Sequence, residues 1–301
     1  MPELPDITVY IDALKQVVAG QRLIKFRVGS PSVLRKGETP VSEIEGSVLG
    51  RVGRIGKRII LGFEPDRFLL IHLMIGGRLH WKKAGGKTIG KNGLAALDFE
   101  NGTLMLTETG PKKQAAIHLV RGEEALAEFD AGGVEPFDID LETFAGALKK
   151  ENHTLKRALT DQRLIKGIGN AYSDEILHRA GLSPVAMTQK LNPEELRLLF
   201  VSTRGVLVDW IDRLRAEAGE GFPEKVTAFR KGMAVHGRFK KNCPVCKTSI
   251  QRIVQGSNES YYCPGCQTGG KTLSSRTLLK LLKSDWREAG EEIEKRDPAR
   301  E

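Results

Sequence analysis

The stretch Leu94-Ala-Ala-Leu-Asp-Phe99-Glu-Asn101-Gly102-Thr103-Leu-Met-Leu-Thr107 holds two short apolar runs, 94–99 and 103–107, separated by Asn101-Gly102. Asn-Gly between two such runs reads as a tight hairpin turn, because both residues tolerate the backbone conformations that a tight turn demands. Similar runs lie on either side, at 23–28, 48–55, 58–63, 68–73 and 115–120, rich in Ile, Val, Leu and Phe and punctuated by turn residues. Short strands with no helices between them predict an antiparallel sandwich or barrel.

Upstream of the strands, Pro5 and Asp6 open a helix with Ile7, Tyr10, Ile11, Leu14, Val17 and Val18 on one face and Gly20 as its stop. This helix would hold the first six residues, Met1-Pro2-Glu3-Leu4-Pro5-Asp6, against a core. Removal of Met1 ahead of the small Pro2 leaves a secondary amine at the terminus. An α-amine titrates near about 8 against about 10.4 for a lysine, so more of it is free to attack a carbonyl or a sugar carbon. Its iminium is an electron sink that permits elimination, with Glu3 in reach as a proton donor. Read alone, two prolines and two acids are equally a frayed terminus. Within the strand region Arg51-Val-Gly-Arg-Ile-Gly-Lys57-Arg58 carries four cations and no acid, which suits phosphates or a charge-protected sheet edge.

Downstream the period turns helical, with short helices over 124–129, 141–150 and 154–159 and a Gly- and Pro-bearing linker over 130–140. The segment Asp161-Gln-Arg-Leu-Ile-Lys166-Gly167-Ile-Gly169-Asn170 enters a helix over 171–180 that Gly181 ends. Asn170 reads as its cap, and exposed N–H groups at such a helix start bind phosphate; a plain helix–helix turn has the same pattern. Asn192-Pro-Glu-Glu195 is a capping box opening a long helix towards Glu217. All four cysteines follow, as Cys243-Pro-Val-Cys246 and Cys263-Pro-Gly-Cys266. Two such knuckles supply four thiolates for one tetrahedral structural zinc, with no open position for catalysis. Between them, 249–255 and 260–262 read as a hairpin with Gly256-Ser-Asn-Glu259 at its tip.

The chain has 301 residues, 40% hydrophobic and 28% charged, with a net charge of +9. These values describe a globular protein of two ordinary domains, and no apolar run approaches the roughly 20 residues of a membrane span. A cytoplasmic, nucleoid-associated and monomeric protein is the expectation. Between Lys225 and Arg287 there are 13 Lys and Arg against Glu259 and Asp285 alone, so the positive excess sits in one C-terminal module. Charge placed this way is the footprint of a phosphate-backbone partner.

In their order along the chain these parts resemble the formamidopyrimidine-DNA glycosylase and endonuclease VIII family of base-excision repair enzymes. The parts are the Pro-Glu terminus, a sandwich with an internal lysine, a helix-two-turn-helix ending in Gly-Ile-Gly-Asn170, and a four-cysteine finger. Pro2-Glu3-Leu4-Pro5 is similar to the formamidopyrimidine branch, and His72-Leu73 and Gly77-Arg78-Leu79 fall where the family has a similar segment. The resemblance implies an α+β chain. An N-terminal β-sandwich with its helix would occupy 1–130, a helical domain 131–232, a zinc finger 233–287 and a charged tail 288–301, with DNA in the cleft between sandwich and helices.

The resemblance also implies a bifunctional glycosylase and abasic-site lyase for damaged DNA. Pro2 would attack the anomeric carbon of a flipped nucleotide, Glu3 would move protons, and Lys57 and Asp6 would complete the catalytic set. DNA contacts fall to Lys57, Lys112, Lys113, Asn170, Arg252 and Asn258, and zinc to Cys243, Cys246, Cys263 and Cys266. Five positions depart from the branch: where it fills the gap left by the flipped base with Met, Arg and Phe, this chain has Ile75, Lys112 and Gln114. Asp6 stands where Glu is usual, and Asn258 where the finger-tip arginine is. Two alternatives follow: a non-catalytic binder of abasic or damaged DNA, and an enzyme of shifted scope acting on oxidised pyrimidines, single strands, crosslinks or abasic sites only.

Overall fold

The computed structural model describes residues 1–35, 39–84, 90–110, 112–224, 226–227, 230–255 and 258–273. The tail expected over 288–301, the last part of the finger from 274, and the tip residues Gly256 and Ser257 lie outside the described residues, as does the side chain of Asn258. The chain forms two compact units, residues 1–131 with 211–227 and residues 132–210 with 228–301.

In the first unit, helix α1 (Leu4–Val18) starts from an extended Glu3, with Pro5 in its first turn, where no amide hydrogen is needed. Ile7, Tyr10, Leu14 and Val18, spaced by three or four residues, are all fully buried. Each such aliphatic side chain contributes about 1.5–3 kcal/mol of burial. The chain leaves the helix through Gly20 at φ +74°, where a side chain would be strained.

Eight strands follow: β1 (Leu23–Val28), β2 (Leu49–Ile55), β3 (Arg58–Phe63), β4 (Arg67–His72), β5 (Gly77–Lys82), β6 (Gly93–Phe99), β7 (Gly102–Glu108) and β8 (Ala116–Arg121). They pair antiparallel in two sheets of order β1-β6-β7-β5 and β2-β3-β4-β8. Leu79, Leu97, Leu104 and Leu106 of the first sheet join Leu61, Leu69, Ile71 and Ile117 of the second and the apolar face of α1 in one core. The expected sandwich is therefore present, with α1 packed into it. The second sheet is apolar on its outer side too, where Ile60, Phe68 and Leu70 meet Leu126 of helix α2 (Gly122–Ala127). Burial on both faces explains why β3 and β4 read as continuous apolar runs.

Two details differ from the sequence expectation. Strand β5 was not expected, because Arg78 and His80 interrupt its apolar content; its buried residues are Gly77 and Leu79. The β6–β7 turn is made by Glu100-Asn101, since Phe99 pairs with Gly102. Gly102 serves packing instead: a Cβ there would lie 2.2 Å from the Trp81 ring.

In the second unit, α3 (Leu141–Lys149) is capped by Asp140, whose Oδ1 accepts from Thr143 N at 2.8 Å. Helix α4 (Leu155–Thr160) follows a Thr154 cap, and α5 (Asn170–Ala180) ends at Gly181 in the left-handed region. Helix α6 (Pro193–Ala218) opens with the expected box, Asn192 N donating to Glu195 Oε2 and Glu195 N to Asn192 Oδ1, each at 2.9 Å. From Ile211 onward α6 belongs to the first unit. The finger contributes β9 (Gln251–Gln255), β10 (Asn258–Tyr262) and the short α7 (Pro264–Gln267). Asn258 and Glu259, expected in the tip, are residues of β10 paired with Gln255 and Val254. Among the described residues no helix is long and apolar enough to cross a membrane.

Candidate active site and zinc centre

The N-terminus is built into the first unit. Pro2 is buried, and Glu3 and Asp6 are each 2% exposed. The two acids form a reciprocal capping box at the start of α1, in which the Glu3 N–H donates to Asp6 Oδ2 at 2.9 Å. Tyr10, one turn further on, accepts from Leu79 N at 3.3 Å and so ties α1 to β5. Burial pushes the terminal α-amine below its ordinary range, against the opposing charge of Glu3; Arg78 and Lys57 push it further, and Asp6 opposes them. A terminus held this way is both positioned and poised to lose its proton.

Lys57 occupies the β2–β3 turn beside Gly56, which adopts φ +55°. Its charge reaches a second group, His72 at the end of β4. Burial, then Arg58, Lys57, His118 and Arg35, push the His72 imidazole down to about 3. His72 is therefore neutral, and Arg58 and Lys57 supply the positive charge around it. Sequence reasoning placed His72 only within a family-like segment; its signal was the run of cations that the register of β3, β4 and β8 places around it.

Ile75, Lys112 and Gln114 are all exposed, on the segments 73–76 and 112–115. Buried Glu108 lies beside both segments. Its Oε2 accepts from Gln114 N at 2.7 Å and Ala115 N at 3.0 Å. On the other loop a Cβ at Gly76 would come within 3.0 Å of the Glu108 side chain. Met74 precedes Ile75 at φ +49°, a conformation that L side chains rarely adopt. Glu108 thus holds the backbone at Gln114 and lies beside Gly76, the neighbour of Ile75. Lys113, expected to contact DNA, donates to the Glu108 carbonyl.

In the second unit the α4–α5 turn is fixed from inside by buried Lys156. Its Nζ donates to Asn170 O and Ser173 Oγ, each at 2.7 Å, and to Asp174. Gln162 holds the loop itself, accepting from Gly167 N at 2.8 Å and donating to Ile168 O at 2.8 Å. The expected cap is one residue off: Gly169 is the N-cap and Asn170 the first helical residue. The Asn170 carboxamide instead donates to Glu259 O in β10 at 2.7 Å. Glu259 also engages Arg252, Nη1 to Oε1 at 2.7 Å, while that guanidinium lies 4.5 Å from the Phe239 ring centre. Both described side chains expected to bind phosphate in this unit therefore converge on Glu259.

The cysteines gather as expected. Cys243 and Cys266 sulfurs lie 3.8 Å apart, and Cys246 and Cys263 sulfurs 3.3 Å. A tetrahedral zinc with bonds of about 2.3 Å separates its sulfurs by about 3.8 Å, so the donor set fits one structural ion. Burial, with the neighbouring sulfurs adding, pushes the Cys263 thiol up to about 11, a penalty that a shared cation removes. Gly265 permits the second knuckle to close, since a Cβ there would lie 2.9 Å from Cys246 Sγ. A residue that the sequence did not single out joins this group: His178 of α5, whose ring nitrogen lies with the sulfurs of Cys243, Cys263 and Cys266 within 4.8 Å.

Three family models match the chain in order. Residues 1–117 match the formamidopyrimidine-DNA glycosylase N-terminal domain, 133–216 the H2TH domain of the same glycosylases, and 240–269 the zinc finger found in FPG and IleRS. The formamidopyrimidine-DNA glycosylase of Solibacter usitatus is 32% identical over 277 residues, covering 89% of this chain and 99% of the relative. An uncharacterized formamidopyrimidine-DNA glycosylase-like protein of Mycobacterium tuberculosis is 39% identical over 151 residues, 50% of this chain and 94% of its own. Among solved structures, Lactococcus lactis Fpg in complex with DNA containing an abasic site superposes with a TM-score of 0.78 at 25% identity, over 88% of this chain and 99% of the other.

Proposed function

The chain belongs to the formamidopyrimidine-DNA glycosylase family, and from that premise we propose that it is a DNA-repair glycosylase for oxidised bases that also cleaves the abasic site it makes. The observation that carries this reading is the burial of Pro2 and Glu3 at the start of α1, where burial also holds the Met1 amine below its ordinary range. After loss of Met1, the Pro2 nitrogen attacks the anomeric carbon of a nucleotide turned out of the stack, and the glycosidic bond breaks towards the base. Glu3 protonates the ring oxygen, opening the sugar to an iminium. The iminium acidifies the neighbouring carbon, whose proton is removed as the 3′ phosphate leaves; a second elimination expels the 5′ phosphate. Hydrolysis of the iminium returns the free amine.

Asp6 acts here by positioning, because its carboxylate holds the Glu3 backbone. Arg78 and Lys57 add to the burial that lowers the terminal amine and, with His72, face the phosphates. Lys112, Lys113, Asn170, Arg252 and Asn258 supply further backbone contacts. Zinc holds the finger and takes no part in the reaction.

The experiment is borohydride trapping on a duplex containing an abasic site. Wild type should yield a covalent protein–DNA adduct, and Pro2→Gly should yield far less. Unchanged trapping and cleavage by a variant lacking both Pro2 and Glu3 defeats the mechanism. DNA binding without any trapping makes the protein a non-catalytic binder.

One observation favours a narrower substrate range. The wedge positions hold Ile75, Lys112 and Gln114, so no aromatic ring and no guanidinium fork is there to replace the flipped base. Turning a base out of a duplex costs a few kcal/mol, so lesions already unpaired, in single strands or at abasic sites, should be processed best. Equal preference for paired 8-oxoguanine refutes this narrower reading.

A further inference from the structure

Successive turns of α5 each hold a segment of the finger. At the first, Glu175 accepts the N–H groups of Ala234, Val235 and His236 at 2.7, 2.8 and 2.9 Å, and Asp174 meets His236 Nδ1 at 2.7 Å. Just past the helix, Leu182 O accepts from Gln267 Nε2 at 2.9 Å, and Gln267 Oε1 accepts from Cys263 N at 2.8 Å. Between these ties His178 Nε2 lies 3.3 Å from Cys243 Sγ. His178 is 8% exposed and Cys243 is fully buried. Four thiolates already complete a zinc site, so this imidazole is surplus to the ligand count.

We propose that His178 is a positioning residue of the zinc centre: its Nε2–H donates to the Cys243 thiolate, fixing that sulfur and making retention of the metal depend on α5. A zinc-bound thiolate keeps residual negative charge, and a buried one has no water to satisfy it. An N–H aimed at the sulfur meets that need and sets the direction from which the sulfur faces the metal. A neutral imidazole with its proton on Nε2 suffices, so the role requires no change of charge. The same helix begins at Asn170, so the donor connects the zinc to the helix that presents the Asn170 carboxamide. This inference rests on the zinc finger and is independent of the lesion chemistry.

The test is the rate at which the full-length zinc protein releases its metal to the chromogenic chelator 4-(2-pyridylazo)resorcinol. His178→Asn and His178→Gln are a matched pair, because an asparagine amide falls where Nδ1 was and a glutamine amide where Nε2 was. His178→Asn should release zinc about 10- to 100-fold faster than wild type, the usual effect of losing an outer-shell partner. His178→Gln should stay within a few-fold of wild type. Equal release by wild type and His178→Asn overturns the proposal, as does equally fast release by both variants. Cobalt substitution separates donor from ligand. The thiolate-to-cobalt charge-transfer intensity per metal should be the same in wild type and His178→Asn. A Cys246→Ser protein that keeps one metal and the wild-type charge-transfer band would make His178 the fourth ligand and overturn the donor role.

Discussion

The buried charges at the two ends of the chain are assembled in opposite ways. Around the N-terminus, Glu3 and Asp6 are three residues apart and meet through the first turn of one helix. Around α5, Lys156, Asp174 and His236 come from segments separated by 18 and 62 residues and meet only in the folded unit. The first arrangement is in place as soon as α1 forms. The second confines a lysine that is 1% exposed and an aspartate that is 1% exposed, and each depends on the other to offset its desolvation. The start of α1 is thus locally encoded, whereas the surroundings of α5 are held by long-range pairing and a metal.

If that contrast is right, removing zinc should produce the largest effect and confine it to the second unit. Zinc contributes apparent free energies of about 10–16 kcal/mol in isolated fingers. A chelator should therefore abolish DNA binding while amide exchange in β3, β4 and β7 stays slow; equal loss of protection in both units would break the comparison. Next in size is Glu3→Gln, which should cut base release and strand scission by about 10²–10⁴ with little change in melting temperature, as general acid–base catalysis typically supplies that much. Single-turnover kinetics beside a thermal melt decides it.

Lys156→Met should destabilise the protein by about 3–5 kcal/mol, because it strands a buried carboxylate. Asp6→Ala, which removes one arm of a capping box, should cost only about 0.5–2 kcal/mol. Urea unfolding of the two variants side by side sharpens the contrast, and equal costs would erase it. The smallest effect belongs to Glu259→Gln. Freed from its carboxylate partner, Arg252 should turn to phosphate and steepen the dependence of log affinity on log salt by about 0.9. An unchanged slope would mean that Arg252 does not reach the backbone.

Legibility followed the distance over which residues interact. The strands from β1 to β8 were readable wherever apolar content was dense, and β5 escaped because Arg78 and His80 alternate with its inward residues. Gly102 was readable as a turn residue but not as the flat surface on which Trp81 lies, since that contact belongs to β5 on the far side of β7. The Cys-x-x-Cys pairs named their metal, because four thiolates at that spacing suit one tetrahedral zinc. His178 carried no such mark: a single histidine in a helix is ordinary until the fold brings a sulfur to 3.3 Å.

The sequence by itself determined the sandwich, the capped N-terminal helix, the Gly-Ile-Gly-Asn170 turn and the zinc ligands, because each is written in neighbouring residues whose preferences act within a few positions. Only the tertiary structure decided that Asn170 reaches Glu259 instead of capping α5, that Glu108 holds the backbone at Gln114 and lies beside Gly76, and that α5 brings an imidazole to the zinc centre. These are matters of burial and direction, and a side chain acquires both only when distant segments pack around it.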